Sequence, residues 1–136
     1  MRLAGIVPLG ALALVLAACA SVPGHACKGR EQVVTQDLLY FGTATPHSVV
    51  TSAEWAEFLL STVTPRFPQG FSSWDGSGQW RSASGAILRE ASYVVSVVHP
   101  DDEPSERAVQ DIIAAYKSQF LQEAVLRVKT HACASF

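Results

Sequence analysis

Charge is scarce in this chain of 136 residues: Asp, Glu, Lys and Arg together make up 16%. No basic run occurs, and without a basic patch there is no footing for nucleic acid or for an anionic surface. Sulfur is scarce as well. The three cysteines, Cys19, Cys27 and Cys133, do not cluster, and His25, His47, His99 and His131 are scattered; a metal site wants grouped ligands. There is no P-loop and no GxGxxG, so phosphates and dinucleotides have no cradle. GxSxG, HExxH and CxxC are also missing, which leaves a hydrolase elbow, a zinc helix and a redox dithiol without support. No cofactor and no metal are expected.

What is abundant is apolar sequence at the start. Residues 3–18, LAGIVPLGALALVLAA, carry no charge and follow Arg2. A membrane-spanning helix needs about 20 apolar residues. This run is shorter and contains Pro8 and two glycines, so it reads as a secretory signal. Leu16-Ala17-Ala18-Cys19 resembles the lipobox of bacterial lipoproteins at every position. That resemblance implies cleavage before Cys19, acylation of Cys19, and a partner in the lipid bilayer. Each buried acyl methylene contributes about 0.8 kcal/mol, and several chains anchor firmly where one does not. Ala20, standing where an inner-membrane retention signal usually places Asp, implies an outer-membrane lipoprotein facing the periplasm.

Loss of Arg2 leaves 9 Lys+Arg against 12 Asp+Glu, a mildly acidic mature chain. In an oxidising compartment Cys27 and Cys133 read as a disulfide, with two free thiols or a metal site as the alternatives. Residues 19–34 read as a tether, interrupted by Pro23, Gly24 and Gly29, and residues 35–136 as one domain.

Along the domain, Leu38 to Gly42 predict a first strand. Thr51-Ser52-Ala53-Glu54 matches a capping box, and Trp55, Phe58, Leu59 and Thr62 follow at helical spacing to about Val63. Pro65 and Pro68 stop that helix. A second strand starts at Gly70, with a turn or bulge signal at Asp75-Gly76-Ser77-Gly78. Residues 86–98 predict a third strand. Val109, Ile112, Ile113, Tyr116 and Phe120 mark one face of a helix over 105–122. Residues 124–130 alternate as a fourth strand. The order β-α-β-β-α-β predicts an α+β, ferredoxin-like fold: a four-stranded antiparallel sheet with both helices on one face. Its first strand lies between the third and fourth, which brings Cys27 and Cys133 together.

Alternation assigns faces. On the third strand Ile87, Arg89, Ala91, Tyr93, Val95 and Val97 should face the helices, leaving Glu90, Ser92 and Ser96 open. On the fourth, Leu126, Val128 and Thr130 are expected to face the core, placing Arg127 and Lys129 on the open face. Tyr40, Glu90, Ser92, Arg127 and Lys129 then form a candidate binding face, or a plain cross-strand pair of Glu90 with Arg127. A second candidate is VTPRFPQGFSSWDGSGQWR, where Arg66, Asp75, Trp80 and Arg81 stand among aromatics. Arginine beside an aromatic ring can hold a carboxylate or phosphate; the same stretch can equally be a structural corner.

At LLYFGT, VTPRFPQGFSSWDGSGQWR, GAILREASYVVSVVHPDD and YKSQFLQEAVLRV the chain resembles the domain-of-unknown-function family 3574, over about residues 36–136. The resemblance implies an envelope lipoprotein and carries no activity and no catalytic residue. The expected role is a binding or self-associating envelope protein using its open sheet face, as a homodimer or with an envelope protein partner. The alternative is a small isomerase- or oxygenase-like enzyme whose cavity lies between two packed faces, an analogy drawn from fold alone.

Overall fold

The computed structural model describes residues 27–81 and 83–136. The signal segment, Cys19 and the tether up to Ala26 lie outside the described residues. Strand β1 (Gln32–Gly42) leads to helix α1 (Ser52–Phe58), which widens into a π turn over Leu59–Val63. Then come β2 (Ser72–Arg81), β3 (Ile87–His99), α2 (Glu103–Gln119) and β4 (Leu126–Ala134). The sheet order is β2-β3-β1-β4, with antiparallel pairing throughout. This is the expected α+β architecture, with β1 between β3 and β4.

Local chemistry explains the boundaries. Thr51 and Glu54 close a reciprocal capping box on α1: Thr51 Oγ1 accepts from Glu54 N–H at 3.2 Å, and Glu54 Oε2 accepts from Thr51 N–H at 2.8 Å. The π turn ends where Thr64 N–H donates to Leu59 O at 2.8 Å, just before Pro65. Asp102 caps α2 through Ser105 N–H at 2.8 Å, with Pro104 in the first turn, where its missing N–H costs nothing. α2 starts two residues before the expected boundary. It ends earlier too, ahead of Leu121, whose φ of 53° is left-handed.

The core lies between the sheet and the two helices. Leu39, Phe41, Val95 and Val97 meet Trp55, Phe58, Val109, Ile112 and Tyr116. Phe41 and Tyr116 pack edge to face at 4.7 Å, and Trp55 stacks on Tyr93 at 4.7 Å. Tyr116 also donates its hydroxyl to Gly42 O at 2.9 Å, so the buried phenol keeps a partner. Burial pushes its pKa above the usual tyrosine value.

Cys27 and Cys133 are joined, with Cα atoms 5.5 Å apart. The bond ties the approach to β1 onto the end of β4. Disulfide, sheet and core all close within residues 27–136, which makes that segment a self-contained folding unit.

Three expectations need correction. β1 begins at Gln32, inside the stretch 19–34 read as tether, because β4 runs on to Ala134 and pairs Gln32, Val33 and Val34 with Ala134, Cys133 and Ala132. Asp75-Gly76-Ser77-Gly78 makes no turn: it is continuous strand paired with residues 90–93. The faces of β4 are inverted. Leu39 pairs with Arg127 and Asp37 with Lys129, and paired residues share a face. Arg127 and Lys129 therefore stand on the helix side, while Leu126 and Val128 face outward, 60% and 42% exposed.

Candidate functional site

The inversion of β4 has a cause on β1. Asp37 has the same parity as Leu39 and Phe41, so the strand carries it into the interior, where its side chain is fully buried. A buried carboxylate needs partners. Arg127 supplies two, Nε to Oδ1 at 2.7 Å and Nη2 to Oδ2 at 2.8 Å. The same guanidinium reaches Glu106 on α2, at 2.5 Å from Nη1 and 2.8 Å from Nη2. Lys129 Nζ adds a bond to Glu106 at 3.2 Å and lies 3.6 Å from Asp101. Arg127 holds the Glu106 carboxyl well below the usual carboxylate range. In return the pKa values of Arg127 and Lys129 are raised by that carboxylate.

His99 completes this network. Its Nε2 lies 2.9 Å from Asp37 Oδ2 and its Nδ1 2.7 Å from Pro100 O. A buried His–Asp pair has the look of a general base. Here each ring nitrogen is already engaged, so none is left to face a substrate. His131, an exposed residue, bonds Asp101 at 3.2 Å. The assembly is an ionic clamp between the sheet and α2.

The candidate face is accordingly split. Tyr40, Glu90 and Ser92 lie on the open side, as expected; Arg127 and Lys129 lie beneath it, and no Glu90–Arg127 pair forms. Glu90 Oε1 instead accepts from Ala44 N–H at 3.1 Å. Gly42 makes room for it, since a Cβ there would stand 2.7 Å from that oxygen. Gly76 does the same for Ser92, whose Oγ would be 2.8 Å from a Cβ.

The second candidate does not assemble either. Arg66 sits on the loop after the π turn, whereas Asp75, Trp80 and Arg81 belong to β2, with Asp75 and Arg81 of one parity and Trp80 of the other. The sulfurs of Cys27 and Cys133 lie near the Glu31 carboxylate, but they are committed to each other and not to a metal.

What remains on the open side is nearly free of charge. Across its four strands the described residues carry one charged side chain, Glu90. Trp74, Val94, Tyr40 and Leu126 share one cross-strand row; Ser72, Ser96, Leu38 and Val128 share the next. Trp74, Leu88, Val98, Leu126 and Val128 are all at least 41% exposed. Asp75, Arg81, Arg89, Arg127, Lys129 and His131 have the opposite parity. Near the β2–β3 hairpin a hollow of about 470 Å³ touches Gly78, Arg89 and Glu90.

A four-stranded sheet with two helices on one side and a charge-poor opposite side is a ferredoxin-like domain with an uncovered face. Residues 36–136 match the family described as "Protein of unknown function (DUF3574)", and the chain belongs to it. No protein of curated function matches the chain. Among the solved structures that share its fold are a phage SAM lyase in complex with S-methyl-5'-thioadenosine (TM-score 0.55) and a phage SAM lyase in the apo state (TM-score 0.53). Both are 15% identical to this chain, over 82% of it and over 94% and 93% of those chains.

Proposed function

We propose that this is an acylated envelope lipoprotein, anchored at Cys19 to the outer membrane, whose domain associates with a second copy of itself through the open sheet face. The observation that carries the reading is the partition of charge. In a monomeric half-covered sheet the solvent face is the polar one. Here the charged residues of β4 go inward, and Leu126 and Val128 go out. An isologous interface must complement itself, and a face whose one charged side chain among the described residues is Glu90 does so with little like-charge repulsion. The Glu90 carboxylate keeps its charge, and the bond from Ala44 N–H offsets part of the cost of covering it. Four strands about 4.8 Å apart and eight residues at about 3.3 Å each give roughly 500 Å² per copy. Roughly 1,000 Å² for the pair is the lower end of specific interfaces.

Native mass spectrometry of residues 27–136 tests the association, with a dimer expected. A monomer at every micromolar concentration contradicts it. The anchor is tested separately: Cys19→Ser should move the full chain from the membrane fraction to the soluble fraction.

A second reading, a small enzyme with its cavity between two packed faces, draws on the fold shared with the phage SAM lyase. Titration of the domain with S-methyl-5'-thioadenosine tests it. Saturable shifts around Glu90, Ser92 and Gly42 would favour the enzyme, and an unchanged spectrum would count against it.

A further inference from the structure

A hollow of about 450 Å³ opens at the end of the sheet where β1 begins and β3 ends. Small-molecule sites span roughly 300–1,000 Å³. One wall is the loop between the π turn and β2, which carries Pro65, Pro68 and Gly70. Gly70 has φ +128°, a conformation that strains any side chain. Val33, Val98 and Phe67 supply apolar surface, and Arg66 supplies a cation.

No Asp or Glu side chain is among the described residues that line this hollow, which Phe136 borders with its ring and its terminal carboxyl group. The acids at the start of α2 are engaged elsewhere: Asp102 caps Ser105, Glu103 pairs with Arg107, and Glu106 binds Arg127 and Lys129. Arg66 donates through Nη1 to Thr62 O at 2.8 Å, and its nearest carboxylate, on Asp111, stands 3.9 Å from Nε. An exposed ion pair that long contributes little. His99 also lines the hollow, but both its ring nitrogens are taken. The hollow thus combines an apolar lining with one weakly engaged guanidinium, and a guanidinium pairs best with a carboxylate or a similar planar oxyanion.

We propose that this hollow binds a small amphipathic carboxylate, its hydrocarbon against Val33, Phe67 and Val98 and its head on Arg66. The site borders the sheet face invoked for self-association at Val98, but Arg66 and Phe67 belong to the loop after the π turn, so loss of decanoate binding in Arg66→Gln and loss of the dimer in Leu126→Asp are separate outcomes.

The test is NMR titration of residues 27–136 with sodium decanoate and, in parallel, decyltrimethylammonium chloride. Decanoate should give saturable shifts at Val33, Phe67 and Gly70, and the cationic amphiphile should bind at least tenfold more weakly. Arg66→Gln should weaken decanoate at least tenfold and leave the cation unchanged. Should that variant fold poorly, the comparison of the two headgroups on the unsubstituted domain decides alone. Equal affinity for both headgroups overturns the proposal. So does the absence of saturable shifts with decanoate, or shifts centred on Trp74, Leu126 and Val128.

Discussion

Asp37 and Arg127 are joined by two hydrogen bonds of 2.7 and 2.8 Å, 90 residues apart in the chain, with the carboxylate fully buried. Removing one partner of such a pair strands the other, at a cost of about 3–5 kcal/mol. Arg127→Met should therefore lower the urea midpoint by that equivalent. Replacing both residues, Asp37→Leu with Arg127→Met, should recover part of the loss in a double-mutant cycle. Additive losses would show that the two residues do not act as a pair.

The clamp also sets the behaviour in acid. Glu106, Asp101 and Asp102 all have folded-state pKa values lowered by hydrogen bonds, from Arg127, His131 and Ser105 first. Their unfolded values are about 4. A depressed folded pKa contributes stability above the unfolded value and loses it as pH falls through the folded one. Calorimetric melting temperatures should hold between pH 5 and 7, in ordinary units, and fall steeply below about pH 4. Glu106→Gln should lower the plateau and flatten the acid limb.

The Cys27–Cys133 bond spans 106 residues. A loop that long is worth at most about 4.7 kcal/mol in the chain-entropy model, and commonly about 2–4 in practice. Cys133→Ser, or reduction of the unsubstituted domain, should cost that much in urea unfolding. The two treatments should agree. A much larger loss from Cys133→Ser than from reduction would point to a packing defect at the end of β4.

Much of the fold was legible because its signals were redundant. The capping box at Thr51, the prolines after α1 and the apolar stripe of α2 each agreed with the strand alternation around them. The order of elements then placed β1 centrally and brought Cys27 to Cys133. The candidate face was only half legible. Alternation in LRVKT shows two faces without saying which is buried, since a slip of one residue exchanges them. The deciding residue was Asp37, which a first strand beginning at Leu38 leaves out. Read from Gln32 instead, the parity of Asp37 with Leu39 and Phe41 marks a buried acid that needs a cation. Leu126 and Val128 cannot supply one, and Arg127 can. The pairing of His99 with Asp37 is hidden in the same way, since it too needs Asp37 placed on the inner face of β1. The second candidate failed because Asp75-Gly76-Ser77-Gly78, despite its turn composition, lies paired along β3.

The glycines on the open side give a local check. Alanine at Gly42 would place Cβ 2.7 Å from Glu90 Oε1 and push that carboxylate off Ala44 N–H. One hydrogen bond is worth about 0.5–1.5 kcal/mol, or more where the acceptor is charged. Gly42→Ala should cost about that in thermal unfolding, and Gly42→Ala with Glu90→Ala should cost less than the two separate losses combined. Strict additivity would show that the glycine serves something other than Glu90.

The central claim is that the charge-poor sheet face meets a second copy of itself. Sedimentation velocity of residues 27–136, compared with Leu126→Asp and Val128→Asp, tests it most directly. Both aspartates are placed outward, away from the core, so the variants should stay folded while like charges oppose one another across the interface. The account predicts a concentration-dependent dimer for the unsubstituted domain and monomers for both variants. A monomer in all three, or a dimer untouched by either aspartate, would contradict it.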